Sequence, residues 1–299
     1  MALALSAPAL AAGKPAANTG GAKSITYNTA TLAGTVNPNG QNTSYYFQYG
    51  PTRAYGGQSA IADAGSGGKG VGVEVAIGGL QPITLYHYRL VAVNASGATL
   101  GADHTFLTTK VPLSLAIVAT PNPVPFAGIV VVQGTLSGTN NAGRQVVLQA
   151  NVFPYTLGFQ NVGNPELTTA TGSFSFPILG QAATAHFRVV TTTKPQVISP
   201  EVVENVLMRI SGHIGHSRKH GYVRFYGSVA PAADGMQVGI LKITHGKYVL
   251  AGGTVLKHHD AGSSTFSKPI RARRGVYRVL VRITSGAQIS TYSQPLVIR

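Results

Sequence analysis

The stretch Leu80-Gln81-Pro82-Ile83-Thr84-Leu85-Tyr86-His87-Tyr88-Arg89-Leu90-Val91-Ala92-Val93-Asn94 decides the fold. From Tyr86 onward it alternates: Tyr86, Tyr88, Leu90 and Ala92 share one face and His87, Arg89 and Val91 the other. Period-two alternation describes a strand with one face buried and one in water, as in an antiparallel sheet. Three more runs upstream share this pattern: Ala30, Leu32, Gly34 and Val36; Tyr45, Phe47 and Tyr49; Val71, Val73, Val75 and Ile77. Turn chemistry bounds each of them, at Asn37-Pro38-Asn39-Gly40, Tyr49-Gly50-Pro51, Gly78-Gly79 and Asn94-Ala95-Ser96-Gly97.

The same landmarks recur. Gly-Thr/Ser-hydrophobic appears at Gly34-Thr35-Val36, Gly134-Thr135-Leu136 and Gly227-Ser228-Val229, spaced by 100 and 93 residues. An aromatic opening an alternating strand recurs at Tyr86, Phe187 and Tyr277, spaced by 101 and 90. Two landmarks with nearly one period predict three similar units. With 299 residues there is room for three sandwiches of about 100 residues each. A composition 44% hydrophobic but only 10% charged, with 37 Gly and 17 Pro, suits many short strands joined by turns.

The quoted segment resembles the signature of fibronectin type III domains, L-x-P-x-T-x-Y-x-(Y/F)-R-V-x-A-x-N, and TATLAGTVNPNGQNTSYYFQYGPT looks like the bacterial version. The resemblance covers about residues 22–109 and implies that the Tyr86 hydroxyl bonds back to the chain upstream, forming a tyrosine corner. The tryptophan common early in animal versions is absent, with Leu32 in the corresponding strand, and no Arg-Gly-Asp triplet occurs. Residues 111–206 are similar in general pattern to bacterial immunoglobulin-like modules, and residues 207–299 look like a further, basic immunoglobulin-like repeat with Gly275-Val276-Tyr277-Arg278-Val279 as its penultimate strand. The expected fold is therefore all-β: three tandem antiparallel β-sandwiches, one fibronectin type III-like and two immunoglobulin-like, with short linkers near Thr109–Val111 and Asn205–Leu207.

Residues 1–21 read as a signal-peptide remnant and disordered leader. Ala2–Ala12 is apolar and ends in the small-x-small pattern Ala9-Leu10-Ala11, although no positive residues precede it. This predicts export, to a secreted or cell-surface location. No other run is long and apolar enough to suggest a membrane span. The absence of cysteine excludes disulfides, thiolate metal sites and cysteine nucleophiles.

Charge is uneven. Six Lys/Arg face three carboxylates in residues 1–110 (+3), three face three in 111–206 (0), and fourteen face two in 207–299 (+12). Arg271, Arg273 and Arg274 precede a strand from which Arg278 and Arg282 project opposite Tyr277, and Arg218, Lys219 and Arg224 form a second group beside Tyr226. Such clustering is the electrostatic footprint of a site for an anionic surface polymer or glycan, with nucleic acid the less favoured polyanion. Sheet edges are the expected seats of any protein partner. His213, His216 and His220, and His258-His259-Asp260, lack standard ligand spacing, so no metal and no cofactor is expected. Gly65-Ser66-Gly67-Gly68-Lys69-Gly70 precedes a strand instead of opening a helix, which argues against a phosphate loop. Eight scattered carboxylates and no nucleophile motif predict a protein that is not an enzyme. The functional expectation is an extracellular structural or adhesion protein whose basic domain contacts anionic polymers. The alternatives are an accessory or spacer module of a secreted polysaccharide-degrading system, or a secreted enzyme with an inter-domain site.

Overall fold

Residues 13–299 are described by a computed structural model. Every regular element among them is a strand. They divide into two compact units, the first ending at Pro112 and the second spanning Leu113–Arg299.

The first unit is one sandwich built from β1 (Ala16–Lys23), β2 (Thr29–Asn37), β3 (Ser44–Gly50), β4 (Gly57–Gln58), β5 (Ala62–Asp63), β6 (Val71–Gly78), β7 (Leu85–Asn94), β8 (Gly97–Leu100) and β9 (His104–Leu107). One sheet runs β1-β2-β6; the other pairs β3 with β7 and adds β4 and β5 beside β3, and β8 and β9 beside β7. The alternation sets which residues meet between them: Leu32 and Val36 from one sheet and Phe47, Tyr88 and Leu90 from the other are fully buried. Tyr86 Oη accepts the Gln81 N–H at 3.0 Å, and its ring stacks on Phe106 at 5.5 Å. The boundary expected at residue 22 moves. Residues 16–21, read as part of a leader, are β1, paired with β2 from Ala16↔Asn37 to Lys23↔Thr31. Their low strand propensity is overridden by tertiary bonds, since buried Thr19 accepts the Leu90 N–H and Tyr88 Oη donates to Gly20 O. The expected signal segment, Ala2–Ala12, lies outside the described residues.

In the second unit the chain continues as β10 (Ser114–Thr120), β11 (Val124–Pro125), β12 (Gly128–Ser137), β13 (Gln145–Val152), β14 (Gln160–Leu167), β15 (Ser173–Gln181), β16 (Ala185–Thr191) and β17 (Val202–Glu204). Sheets β10-β12-β15 and β14-β13-β16-β17 enclose Val130, Val132, Leu136, Val146, Leu148, Phe174, Phe176 and Phe187. After β18 (Val206–Leu207) come β19 (Arg209–His216), β20 (Val223–Ala230), β21 (Gln237–Thr244), β22 (Lys247–Val255), β23 (Lys257–Asp260), β24 (Ser263–Ile270), β25 (Gly275–Val281) and β26 (Leu296–Ile298). Their sheets, β19-β20-β24-β23 and β22-β21-β25-β26, enclose Phe225, Val229, Ile240, Phe266, Tyr277 and Val279. The protein is thus all-β, a tandem array of antiparallel sandwiches.

The repeated glycines share one physical cause. Each lies in an interior strand of its sheet (β2, β12 and β20), where a Cβ would strike something fixed. At Gly34 it would lie 2.8 Å from both Asn18 O and Leu90 Cδ2; at Gly134, 2.1 Å from Ala116 O and 2.7 Å from Phe174 Cζ; at Gly227, 1.8 Å from Ser211 O and 2.9 Å from Phe266 Cζ. The period in the sequence records close approach of the neighbouring strand and, in the last two, of a core phenylalanine.

Asn205–Leu207, expected to be a linker, is a lock. Leu207 and Val206 pair in parallel with Pro125 and Val124 through Val124 N–H to Asn205 O (2.9 Å) and Phe126 N–H to Leu207 O (2.7 Å). The Asn122 side chain adds a donor to Val203 O (2.6 Å) and accepts the Asn205 N–H (3.2 Å). From the third sandwich, Ile289 N–H donates to Val206 O and Ala287 O accepts the Thr184 N–H. The two sandwiches therefore form one unit. Just before this lock, in β17, Glu204 pairs with the core residue Ala185; it is 0% exposed, and neither carboxyl oxygen has a hydrogen-bond partner. Burial pushes its pKa up from 4.5 to about 7, with only the neighbouring Val124 N–H favouring the ionised form.

Candidate anion-binding site

Strand register collects positive charge at one end of the third sandwich. His216 at the end of β19 pairs with Val223, and Val223 with Ile270 at the end of β24. Loops 217–222 and 271–274 therefore leave from the same row of that sheet. In the facing sheet Thr244 pairs with Lys247, Lys242 with Tyr277 and Gly275 with Ile298, which brings the β21–β22 turn and Arg299 to this end too. Arg218, Lys219, Arg271, Arg273 and Arg274 are all exposed there, joined by His220, His245 and Lys247. Both carboxylates of this sandwich lie at the opposite end. Asp234, between β20 and β21, accepts the Ser264 hydroxyl and faces His258 Nδ1 at 2.8 Å. Asp260 turns the β23–β24 hairpin and accepts from Ser263 Oγ and Gly262 N–H. The Ser264 bond, then His258, holds the Asp234 carboxyl below the usual range, and the Ser263 and Gly262 bonds do so for Asp260. Those anions are satisfied where they stand, and no Asp or Glu side chain of this sandwich lies at its basic end.

The arginine loop is anchored. Tyr277 Oη donates to Arg273 O at 2.7 Å and accepts the Arg273 N–H at 3.2 Å, closing a four-residue corner. Tyr86 bonds to the chain five residues upstream in the first sandwich, so the repeated aromatic does the same work twice; Phe187, without a hydroxyl, packs only as a core ring. Lys219 Nζ lies 4.2 Å from the Tyr222 ring centroid.

The eight basic residues expected in two groups fall into three places. Arg218, Lys219, Arg271, Arg273 and Arg274 share the end loops. Arg224 points from the outer face of β20, its guanidinium 4.5 Å from the Tyr226 ring centroid. Arg278 and Arg282 lie on the outer face of the other sheet. There Arg278 is half-buried with its Nε unbonded, and Arg282 sits by the Asp234 turn at the far end. Alternation puts Arg278 and Arg282 on one face, but β25 carries Arg282 the length of the strand away from Arg274, about 27 Å at roughly 3.4 Å per residue over eight residues.

Among the described residues no three His, Cys, Asp or Glu side chains converge as a metal site would need. His213 faces Tyr226, while His258 and His259 face Asp234 and Asp260. Gly65-Ser66-Gly67-Gly68-Lys69-Gly70 is an exposed connection into β6. In the first sandwich, Asp103 gathers Tyr55 Oη (3.0 Å), His87 Nδ1 (2.9 Å) and Arg53 Nε (3.2 Å). Burial would raise its pKa, but the His87 and Tyr55 bonds outweigh it and hold the carboxyl low, while burial and then Asp103 raise Tyr55. This cluster, spread over Arg53, Tyr55, His87 and Asp103, has no local motif.

No family model matches the chain, and no curated protein matches it in sequence. Similar solved structures include domains A168–A170 of titin (15% identity, 96% of this chain and 99% of that one, TM-score 0.37) and the FN1–FN3 domains of chicken CNTN1 (12%, 94% and 97%, 0.31). A tetra-tandem repeat from the extending region of a large adhesion protein is also similar (16%, 95% and 74%, 0.32). At these values the likenesses give this chain neither a family nor a function. No helix among the described residues is long and apolar enough to cross a membrane.

Proposed function

We propose that this chain is an extracellular, non-enzymatic structural or adhesion protein whose third sandwich contacts an anionic surface polymer or glycan. One observation carries the reading: the separation of charge within that sandwich, with exposed arginines and lysines at one end and both carboxylates bonded at the other. A surface of one sign attracts polyanions and speeds their encounter. Guanidinium forks match carboxylate and phosphate bidentately, and Tyr277 holds three of them on one short loop. Export rests on the apolar Ala2–Ala12 stretch of the sequence.

The test is a titration of the full chain with heparin and with poly(glycerol phosphate) across about 50–200 mM salt, where counterion release acts strongly. Replacing Arg271, Arg273 and Arg274 by Ser is expected to weaken binding and to flatten the log–log salt slope by about 2–3, one release per lost contact. Unchanged affinity and slope in that variant would reject the end loops as the contact.

A further inference from the structure

The outer face of the β19-β20-β24-β23 sheet holds a groove that the end loops do not account for. Its volume is about 390 Å³, a size ordinary for ligand sites, and no carboxylate lines it. Register builds the floor: Ser211 pairs with Ser228, Ser228 with Thr265 and Thr265 with Lys257, so one row of outward side chains crosses all four strands. The adjoining row is His213, Tyr226 and Ser267. The four-stranded ladder uses the main-chain donors and acceptors, so hydrogen bonding on this face falls to the hydroxyls.

Tyr226 fixes the cations beside it. It lies over Gly215, where a Cβ would come within 3.0 Å of its Cε1, the arrangement in which an aromatic covers a bare glycine of the neighbouring strand. Arg224 rests over the ring, and the His213 ring lies 5.5 Å away, tilted by 31°. Arg224 and Lys257 then bracket the hydroxyl row. From strand spacing of about 4.8 Å and a rise of about 3.4 Å per residue, their Cα positions stand roughly 16 Å apart, a span for an oligomer and not for a single sugar.

Resting on the polyanion reading above, we propose that this groove is the specific subsite of that surface and takes an acidic polysaccharide. Sugar hydroxyls bond to Ser228, Thr265 and Ser267, and carboxylates on the chain meet Arg224 and Lys257. Single-stranded nucleic acid fits less well. A stacked base needs a free aromatic face, and Arg224 lies over the ring of Tyr226.

The test uses the full-length chain with three probes: polygalacturonate, its methyl ester, and an oligothymidylate of matched charge. Wild type is expected to prefer polygalacturonate to the oligothymidylate and to bind the ester at least tenfold more weakly. Arg224→Gln with Lys257→Gln should lower polygalacturonate affinity at least tenfold. Ser228→Val, which keeps the strand and the charge, should lower it several-fold while leaving oligothymidylate binding as it was. Thermal melts confirm that each variant folds. The inference is overturned if the groove variants bind polygalacturonate like wild type, or if Ser228→Val weakens both polymers equally. Loss of binding only when Arg271, Arg273 and Arg274 are replaced would leave the polyanion reading standing and remove the groove. If wild type binds none of the charged probes, both readings fail.

Discussion

Replacing Glu204 by Gln is expected to make the second unit more stable, and only above mildly acidic pH. The residue is fully buried beside Ala185 of the second sandwich's core, and neither carboxyl oxygen is hydrogen-bonded. Its pKa is pushed up to about 7 from 4.5, so the folded protein holds this proton over a range where the unfolded chain has released it. Stability falls wherever the folded state binds more protons than the unfolded state as pH rises. For Glu204 the loss begins near pH 4.5, is complete above about pH 7, and amounts to about 3 kcal/mol at 1.36 kcal/mol for each unit separating the two values. Gln keeps the shape and has no charge to bury, so it removes this loss. Its amide lacks partners too, which takes back about 1 kcal/mol at every pH. The net expectation is a gain of about 2 kcal/mol at pH 8, or about 4–8 °C for a unit of this size, and a small loss at pH 4.5. Melting curves of both proteins at the two pH values measure it, and the difference between them cancels the titration of the histidines. A Glu204→Gln shift of the same size at pH 4.5 and pH 8 would refute the reasoning, because a pH-independent effect comes from packing and not from a buried proton.

Tyr86→Phe removes one hydrogen bond while keeping the ring on Phe106, so urea unfolding of the first sandwich should lose about 0.5–1.5 kcal/mol. Tyr277→Phe breaks both bonds to Arg273 and should cost more, about 1–3 kcal/mol, with faster proteolysis at the freed Arg271–Arg274 loop. Gly227→Ala should destabilise by several kcal/mol, because its Cβ would lie 1.8 Å from a strand carbonyl that cannot yield, at the upper end of about 1–3 kcal/mol for overpacking or beyond it. Ala at Gly221, in an open turn with nothing near its Cβ position, strains only its φ of 76° and should cost about 1 kcal/mol; equal melting points for the two variants would contradict the close-approach argument.

Alternation made the buried strands legible because a side chain's face is set by its neighbours two residues away. Leu32, Phe47, Tyr88, Phe187 and Tyr277 are core rings and chains in the faces expected of them. The edges were not legible. β1 (AANTGGAK) and β14 (QNVGNPEL) form through main-chain pairing with a neighbour, and their own side chains bury little, so no period marks them. A further repeat went unread: Ser199 and Ser293, both buried, accept the N–H of Val189 and Val279 and donate their own N–H to the same residue's carbonyl. The sequences Ile198-Ser199-Pro200 and Tyr292-Ser293-Gln294-Pro295 carried that signal. For the basic surface, composition located the sandwich but not the face. Clustering along the chain grouped Arg282 with Arg274, whereas register places them at opposite ends, and the match between Arg224 and Lys257 depends on strands 33 positions apart in sequence. Glu204 had no local signature either, since its burial comes from its register beside Ala185 of the second sandwich's core, a pairing that links residues 19 positions apart.

That lock has a mechanical consequence. β11 and β18 run parallel, with β11 near the start of the second sandwich and β18 at its exit. Tension along the chain pulls one toward the N-terminus and the other toward the C-terminus, so the pair slides instead of peeling. The bonds Val124–Asn205, Phe126–Leu207 and the two made by Asn122 are then loaded together, and all four must give before the second sandwich lengthens.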